Sequence, residues 1–209
     1  MSAPATFTVR HVHFARAAFA AIAALMITFS PDHSATVGLS VFSGYVIATA
    51  LVFFVAAWLV AAADDRWPYV LLGTIGLAAG IVSGIPPLRT TAMFFGVLIA
   101  WAALSGLVEL LAGIRSRKPG DSLGRDRMTV GVTSLLLALA LLLVPQGYSY
   151  SYTAPDGNAY TLTGITIAVG IYGAYAAIVA VYLAIAGFTP RRSPAAPLAP
   201  VAAPEGDIA

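Results

Sequence analysis

Long apolar runs, each interrupted by a short cluster of turn or helix-start residues, dominate the chain between residues 14 and 188. Six of them meet or nearly meet the ~20 apolar residues that a helix needs to cross ~30 Å of hydrocarbon. They are Phe14 to Phe29, Ala35 to Ala62, Trp67 to Ile85, Thr91 to Ile114, Met128 to Val144 and Leu162 to Phe188. Barrel strands would alternate polar and apolar positions over about ten residues, so the runs predict helices. Ser30-Pro31-Asp32-His33 is a stop followed by a restart. Asp64-Asp65-Arg66 before Trp67-Pro68 predicts carboxylate N-caps and a proline in the first turn, where its missing N–H costs nothing. Pro86-Pro87 ends the third span because neither residue can extend the hydrogen-bond ladder. The stretch from Arg115 to Arg127, with Pro119-Gly120 inside it, is the longest charged connection.

The expected fold is therefore an all-α membrane protein with six transmembrane helices arranged as three consecutive hairpins, 14–62, 67–114 and 128–188. A short segment 1–13 precedes them, and a Pro- and Ala-rich tail 189–209 follows that cannot bury a core. Prolines 31, 86, 87 and 145 mark the end of each first helix. Gly96, Gly106 and Gly113 in the second helix of one hairpin match Gly170, Ala180 and Gly187 in the next, with only Gly44 and Ala61 as an echo in the first. This spacing predicts an eroded threefold hairpin repeat.

Charge sets the expected orientation. Arg10, Arg16, Arg66, Arg115, Arg117, Lys118, Arg125, Arg127, Arg191 and Arg192 fall on one side of the six-span arrangement and Arg89 alone on the other. Flanking cations are retained in the cytoplasm, so both termini are expected there, in a bacterial cytoplasmic (inner) membrane. The cationic start and short Ala-rich core of the first span also have the form of a signal peptide. No clean small-x-small cleavage site follows Phe29, and cleavage would orphan the second helix from its partner, so a retained span is expected.

Composition narrows the chemistry. Of 209 residues 59% are hydrophobic and 10% charged, against about 25% charged in a soluble domain, and the net charge of +2 is too weak and scattered for a nucleic-acid-binding face. With no cysteine, thiolate metal sites, disulfides and thiol nucleophiles are excluded. His11, His13 and His33 lie outside the predicted spans, which argues against an intramembrane haem. Ala103-Leu104-Ser105-Gly106 is similar to the serine motif of rhomboid proteases, yet no spanning histidine is expected to serve as base. Lys118, the only lysine, lies in a loop, and no phosphate-cradling loop is present. A non-enzymatic protein without cofactor or metal is expected.

Glu109 is the only acidic residue inside a predicted span. Five residues from the end of its span, it lies about 7.5 Å from that end, within reach of the interface. A carboxyl there either binds a proton or ligand, or is structural, hydrogen-bonded in the bundle or paired with an arginine. Gly76, Gly80 and Gly84 form two overlapping G-x-x-x-G steps that let another backbone approach, in the same chain or a second protomer, and Gly96 and Gly106 are read in the same way. Tyr148-Ser149-Tyr150-Ser151-Tyr152, then Pro155-Asp156-Gly157 and Tyr160, predict a short β-hairpin whose tyrosines serve as interfacial anchors or a recognition surface. Trp58 and Trp67 fit the anchoring role.

Gly80-Ile81-Val82-Ser83-Gly84-Ile85-Pro86, Phe94-Phe95-Gly96, and the run Trp101 to Glu109 with Arg115 and Arg117 together resemble the HdeD-like family of small bacterial membrane proteins, over roughly Phe14 to Phe188. That resemblance implies a membrane stress-response protein, associated with acid resistance and without a catalytic site. Two other readings stay open. One is a small transporter or channel component with Glu109 in its pathway and Ser105, Thr74 or Tyr172 lining it. The other is an accessory subunit that meets a membrane partner, or a second copy, through its glycine faces.

Overall fold

The computed structural model describes residues 7–116, 122–153, 155 and 157–189, the side chain of Asp64 excepted. It contains six helices long and apolar enough to cross a membrane, as a multi-pass membrane protein requires. They are α1 (Val9–Phe29), α2 (Ala35–Leu59), α3 (Trp67–Gly84), α4 (Thr91–Arg115), α5 (Ser122–Leu143) and α6 (Gly164–Phe188). Short 3₁₀ turns, Ala63–Asp65 and Pro86–Leu88, precede α3 and α4. Strands β1 (Ser149–Thr153) and β2 (Ala159–Thr163) form the expected antiparallel hairpin before α6, with Tyr152 opposite Tyr160 and Gly157 at φ 83° in the turn. The sequence-derived tail from residue 190, residues 1–6, the loop residues Arg117, Lys118, Pro119 and Gly120, and Asp156 lie outside the described residues, as do Arg191 and Arg192.

Several boundaries move for one physical reason. A hydropathy run breaks at a charge, whereas a helix continues through it when the side chain finds a partner. So α1 starts at Val9, with Arg10, His11, His13 and Arg16 on the helix, and α5 starts at Ser122, with Arg125 and Arg127 on it. At the other extreme, Leu162 and Thr163 belong to β2, and α6 begins only at Gly164. The carboxylate cap expected for α3 is also corrected: Arg66 is the N-cap residue and its side chain makes no capping bond, and Asp65 turns instead to Arg127.

Even-numbered helices share a start and a centre. Each opens on a hydroxyl cap, with Ser34, Thr90 and Thr163 accepting the backbone N–H of Val37, Met93 and Thr166. Inside, α2 touches both α4 and α6, and the three meet through side-chain pairs of one spacing, Phe42/Tyr45, Leu98/Trp101 and Tyr172/Tyr175. Their rings pack edge to face, Phe42 to Trp101 at 5.1 Å, Phe42 to Tyr172 at 5.8 Å and Trp101 to Tyr175 at 6.0 Å between centroids. The threefold repeat is thus clearer in caps and central aromatics than in glycine spacing.

Consecutive helices pack as hairpins, and the most extensive interfaces link the hairpins to one another, α2 with α3, α4 with α5 and α6 with α1, closing a ring. These three interfaces carry most of the close-packed glycines. A Cβ on Gly76 would lie 3.2 Å from the Val46 carbonyl oxygen, and one on Gly80 would collide with Ile47. Ser43 crosses the same interface, donating to the Gly80 carbonyl at 2.8 Å, and its Oγ would lie 3.3 Å from a Cβ on Gly84. The neighbour of this glycine face is therefore α2 of the same chain. Gly106 and Gly131 oppose each other between α4 and α5, where either Cβ would come within 2.9 Å of the other's carbonyl oxygen. Gly173 and Gly187 of α6 accommodate Ile27 and Phe14 of α1. Gly96, grouped with these in the sequence, does not pack: a Cβ there meets nothing within 4 Å.

Gly131→Ala is therefore expected to lower unfolding stability in detergent by about 1–3 kcal/mol, because backbone rather than a flexible side chain must move. Gly96→Ala should leave it unchanged. Equal effects at the two positions would contradict this packing assignment.

Candidate functional site: a buried ion pair between α1 and α4

Trp101, Ser105 and Glu109 recur every four residues and share one face of α4. That face turns into the bundle, so Glu109 is 3% exposed although it lies only about 9 Å along the helix from Arg115. Arg16 of α1 meets it: Nη2 donates to Oε1 at 2.6 Å. The guanidinium also lies over the Phe53 ring of α2, 4.5 Å from its centroid. One charge pair therefore engages three helices. Desolvating two charges costs several kcal/mol per ion, and only close pairing and further polar contacts compensate.

Polar groups continue on both sides of the pair. Towards the bundle centre, a cavity of about 20 Å³ is bounded by Tyr45, Thr49, Ser105, Ser134 and Tyr175 as well as Arg16 and Glu109. Towards the end of the bundle where α1 begins, a second cavity of about 20 Å³ is bounded by the same pair and by His13, Tyr69, Asp126 and Arg127. Each has room for about one water molecule. Arg16 Nε has no hydrogen-bond partner among the described residues, and Arg16 lines both cavities, a position that suits a bridging water.

Helix-to-helix bonds hold this lining. Ser134 of α5 and the Tyr175 hydroxyl of α6 are 2.9 Å apart, and the Tyr182 hydroxyl donates to Asp126 at 3.0 Å. Arg127 grips Asp65 with both terminal nitrogens, at 3.2 and 3.0 Å, and covers the Tyr69 ring at 5.0 Å. The Asp65 side chain is 42% exposed, so the polar series begins at the surface and runs inwards to Tyr175. Beyond it the interior is apolar, filled by Leu39, Phe42, Phe94 and Val169. Tyr172 lies in that region, fully buried, and its hydroxyl has no hydrogen-bond partner among the described residues.

Of the polar lining groups expected from sequence, Ser105 borders the Glu109 cavity, while Thr74 lies elsewhere, on an open groove between α3 and α4. The expectation of no buried histidine is corrected: His13, outside the hydropathy run, is buried near the start of α1 and borders the second cavity, because α1 begins earlier than that run. It lines a different cavity from Ser105, whose hydroxyl donates to the Trp101 carbonyl at 2.5 Å, so the two are not assembled as nucleophile and base. His11 serves the start of α1, its Nδ1 accepting the Thr8 backbone N–H at 3.1 Å. Arg16 and Arg127 were counted in the sequence only as orientation charges; the available signal was that each is embedded among apolar residues at helical spacing.

The hairpin tyrosines sit apart from this core. Tyr150, Tyr152 and Tyr160 are exposed and stacked, at 6.3 and 5.9 Å between successive centroids. Trp58 is exposed near the end of α2, and Arg115 covers the Trp67 ring at 5.3 Å. Trp101 belongs to the core. No family model, curated protein or solved structure matches the chain.

Removing either partner of the pair leaves a buried uncompensated charge. Arg16→Gln or Glu109→Gln alone should therefore cost about 3–5 kcal/mol of stability in detergent unfolding, and the double substitution should cost less than either. Additive losses would show that the two side chains do not interact.

Proposed function

We propose that this chain is a non-enzymatic protein of the bacterial cytoplasmic membrane, of the HdeD-like type it resembles, that supports acid or membrane-stress tolerance. In this reading both termini face the cytoplasm and the Arg16–Glu109 pair is the proton-responsive element. The observation that carries it is the 2.6 Å ion pair, buried between α1 and α4 yet joined by polar groups to exposed Asp65. The titratable and polar groups around Glu109 are Arg16 and His13 from α1, Tyr45 from α2, Tyr69 from α3, Asp126, Arg127 and Ser134 from α5, and Tyr175 from α6. A proton on Glu109 cancels its charge and strands the Arg16 guanidinium without a counter-ion. The paired arrangement is therefore favoured while Glu109 is ionised and weakened as pH falls through its protonation. A shift of α1 relative to α4 would relieve the stranded charge, which is the kind of two-state element a sensor needs.

A second reading, a small transporter or channel with Glu109 in its pathway, is favoured by the two cavities flanking the pair. Their size suits water and protons rather than a larger solute. Glu109-dependent acidification of liposomes containing the protein would support it.

Survival at low pH, scored together with membrane abundance, tests the leading reading. Glu109→Gln should abolish protection. Arg16→Gln/Glu109→Gln, which removes both charges, should restore abundance but not protection. Full protection by the double variant would reduce the pair to a packing element.

A further inference from the structure

Between α3 and α4 the bundle opens a groove of about 700 Å³ on its outer surface. Its walls include Thr74, Ala78 and Val82 on α3, Gly96 and Leu104 on α4, and Thr90, the N-cap of α4. Small residues leave it unfilled: Gly96 is the glycine whose Cβ would meet nothing within 4 Å. From Thr90 to Leu104 it runs about 21 Å along α4, more than half of the ~30 Å hydrocarbon thickness. A hydrocarbon chain fits its shape and its apolar walls.

Arg89 stands at the hairpin end of this groove. Its Nε donates to the Ser83 carbonyl and its Nη2 to the Gly84 carbonyl, both at 3.2 Å, which fixes the guanidinium at the C-terminus of α3. Val82 and Thr90, which border the groove, are the chain neighbours of Ser83 and Arg89. Two of the five guanidinium N–H donors are used, and among the described residues Arg89 forms no ion pair with a carboxylate. Arg89, next in the chain to groove-lining Thr90, thus lies near the groove's end, and its remaining guanidinium N–H groups have no acceptor among the described residues.

We propose that the α3–α4 groove is a binding site for one anionic glycerophospholipid, its phosphate held by Arg89 and an acyl chain lying along Gly96. Arginine suits the headgroup because its planar fork binds phosphate oxygens through two N–H groups at once. The site is independent of the Arg16–Glu109 pair, which lies inside the bundle.

The test is native mass spectrometry of the full chain, delipidated in mild detergent and titrated with phosphatidylglycerol or phosphatidylcholine. One phosphatidylglycerol should be retained in preference to phosphatidylcholine. Arg89→Gln should weaken that binding about tenfold or more, the loss expected for a charge-assisted hydrogen bond. Gly96→Leu, which fills the groove without touching the Arg89 contacts, should abolish it with thermal stability unchanged, and decides the matter even if Arg89→Gln fails to fold. Unchanged binding in Gly96→Leu would overturn the proposal, as would equal retention of the two lipids. A dimer that Gly96→Leu dissociates, with no lipid bound, would assign the groove to a second copy instead.

Discussion

A carboxylate and a guanidinium inside an apolar helical bundle are tolerated only as a pair, and the architecture around Glu109 follows from that constraint. Each charge is largely withdrawn from bulk water where it lies, so α1 and α4, distant in sequence, must be brought together with Arg16 opposite Glu109. The pair also requires a polar lining, which α2, α5 and α6 provide through Tyr45, Ser134 and Tyr175. With Tyr69 of α3 bordering the second cavity, all six helices thus converge on one ion pair. Its stabilising value is conditional: each charge is costly alone, so whatever neutralises one destabilises the arrangement that holds the other.

Glycine makes that convergence possible. Lipid supplies no hydrophobic drive between helices, so close backbone approach and interhelical hydrogen bonds must hold the ring. Gly76 and Gly80 bring α3 against α2, Gly106 and Gly131 bring α4 against α5, and Gly173 and Gly187 admit α1 to α6. The α3–α4 contact lacks this device, and there the ring parts into a groove. At the tight seams small residues meet a neighbouring backbone or side chain, whereas at the groove small residues such as Gly96 and Ala78 border open space.

The six spans were legible because membrane crossing imposes a length and a composition that the chain shows directly, and prolines with hydroxyl caps punctuate it. The β-hairpin was legible for a similar local reason, alternation followed by a Gly157 turn. Helix starts at Val9 and Ser122 were not, because a charged residue looks like a boundary until its partner is known. The same blindness hid half of the candidate site. Glu109 stood out as an acid within an apolar run, but Arg16 lay near a predicted helix end, where cations ordinarily serve orientation and snorkelling. Their separation of 93 positions leaves no local signal of the pairing. Gly96 shows the converse: its spacing matched that of the packing glycines, and only the bundle geometry reveals that it faces open space.

Isotope-edited infrared spectroscopy of Glu109 tests the central claim, that an ionised carboxylate persists inside the bundle because Arg16 faces it. At neutral pH the protein should show a carboxylate band that disappears in Glu109→Gln. In Arg16→Gln the band should be replaced by the carbonyl band of a protonated acid, since a lone buried carboxylate is too costly to remain charged. Acidification of the unmodified protein should produce the same replacement. A protonated Glu109 at neutral pH with Arg16 in place, or a carboxylate band indifferent to Arg16→Gln, would contradict the account.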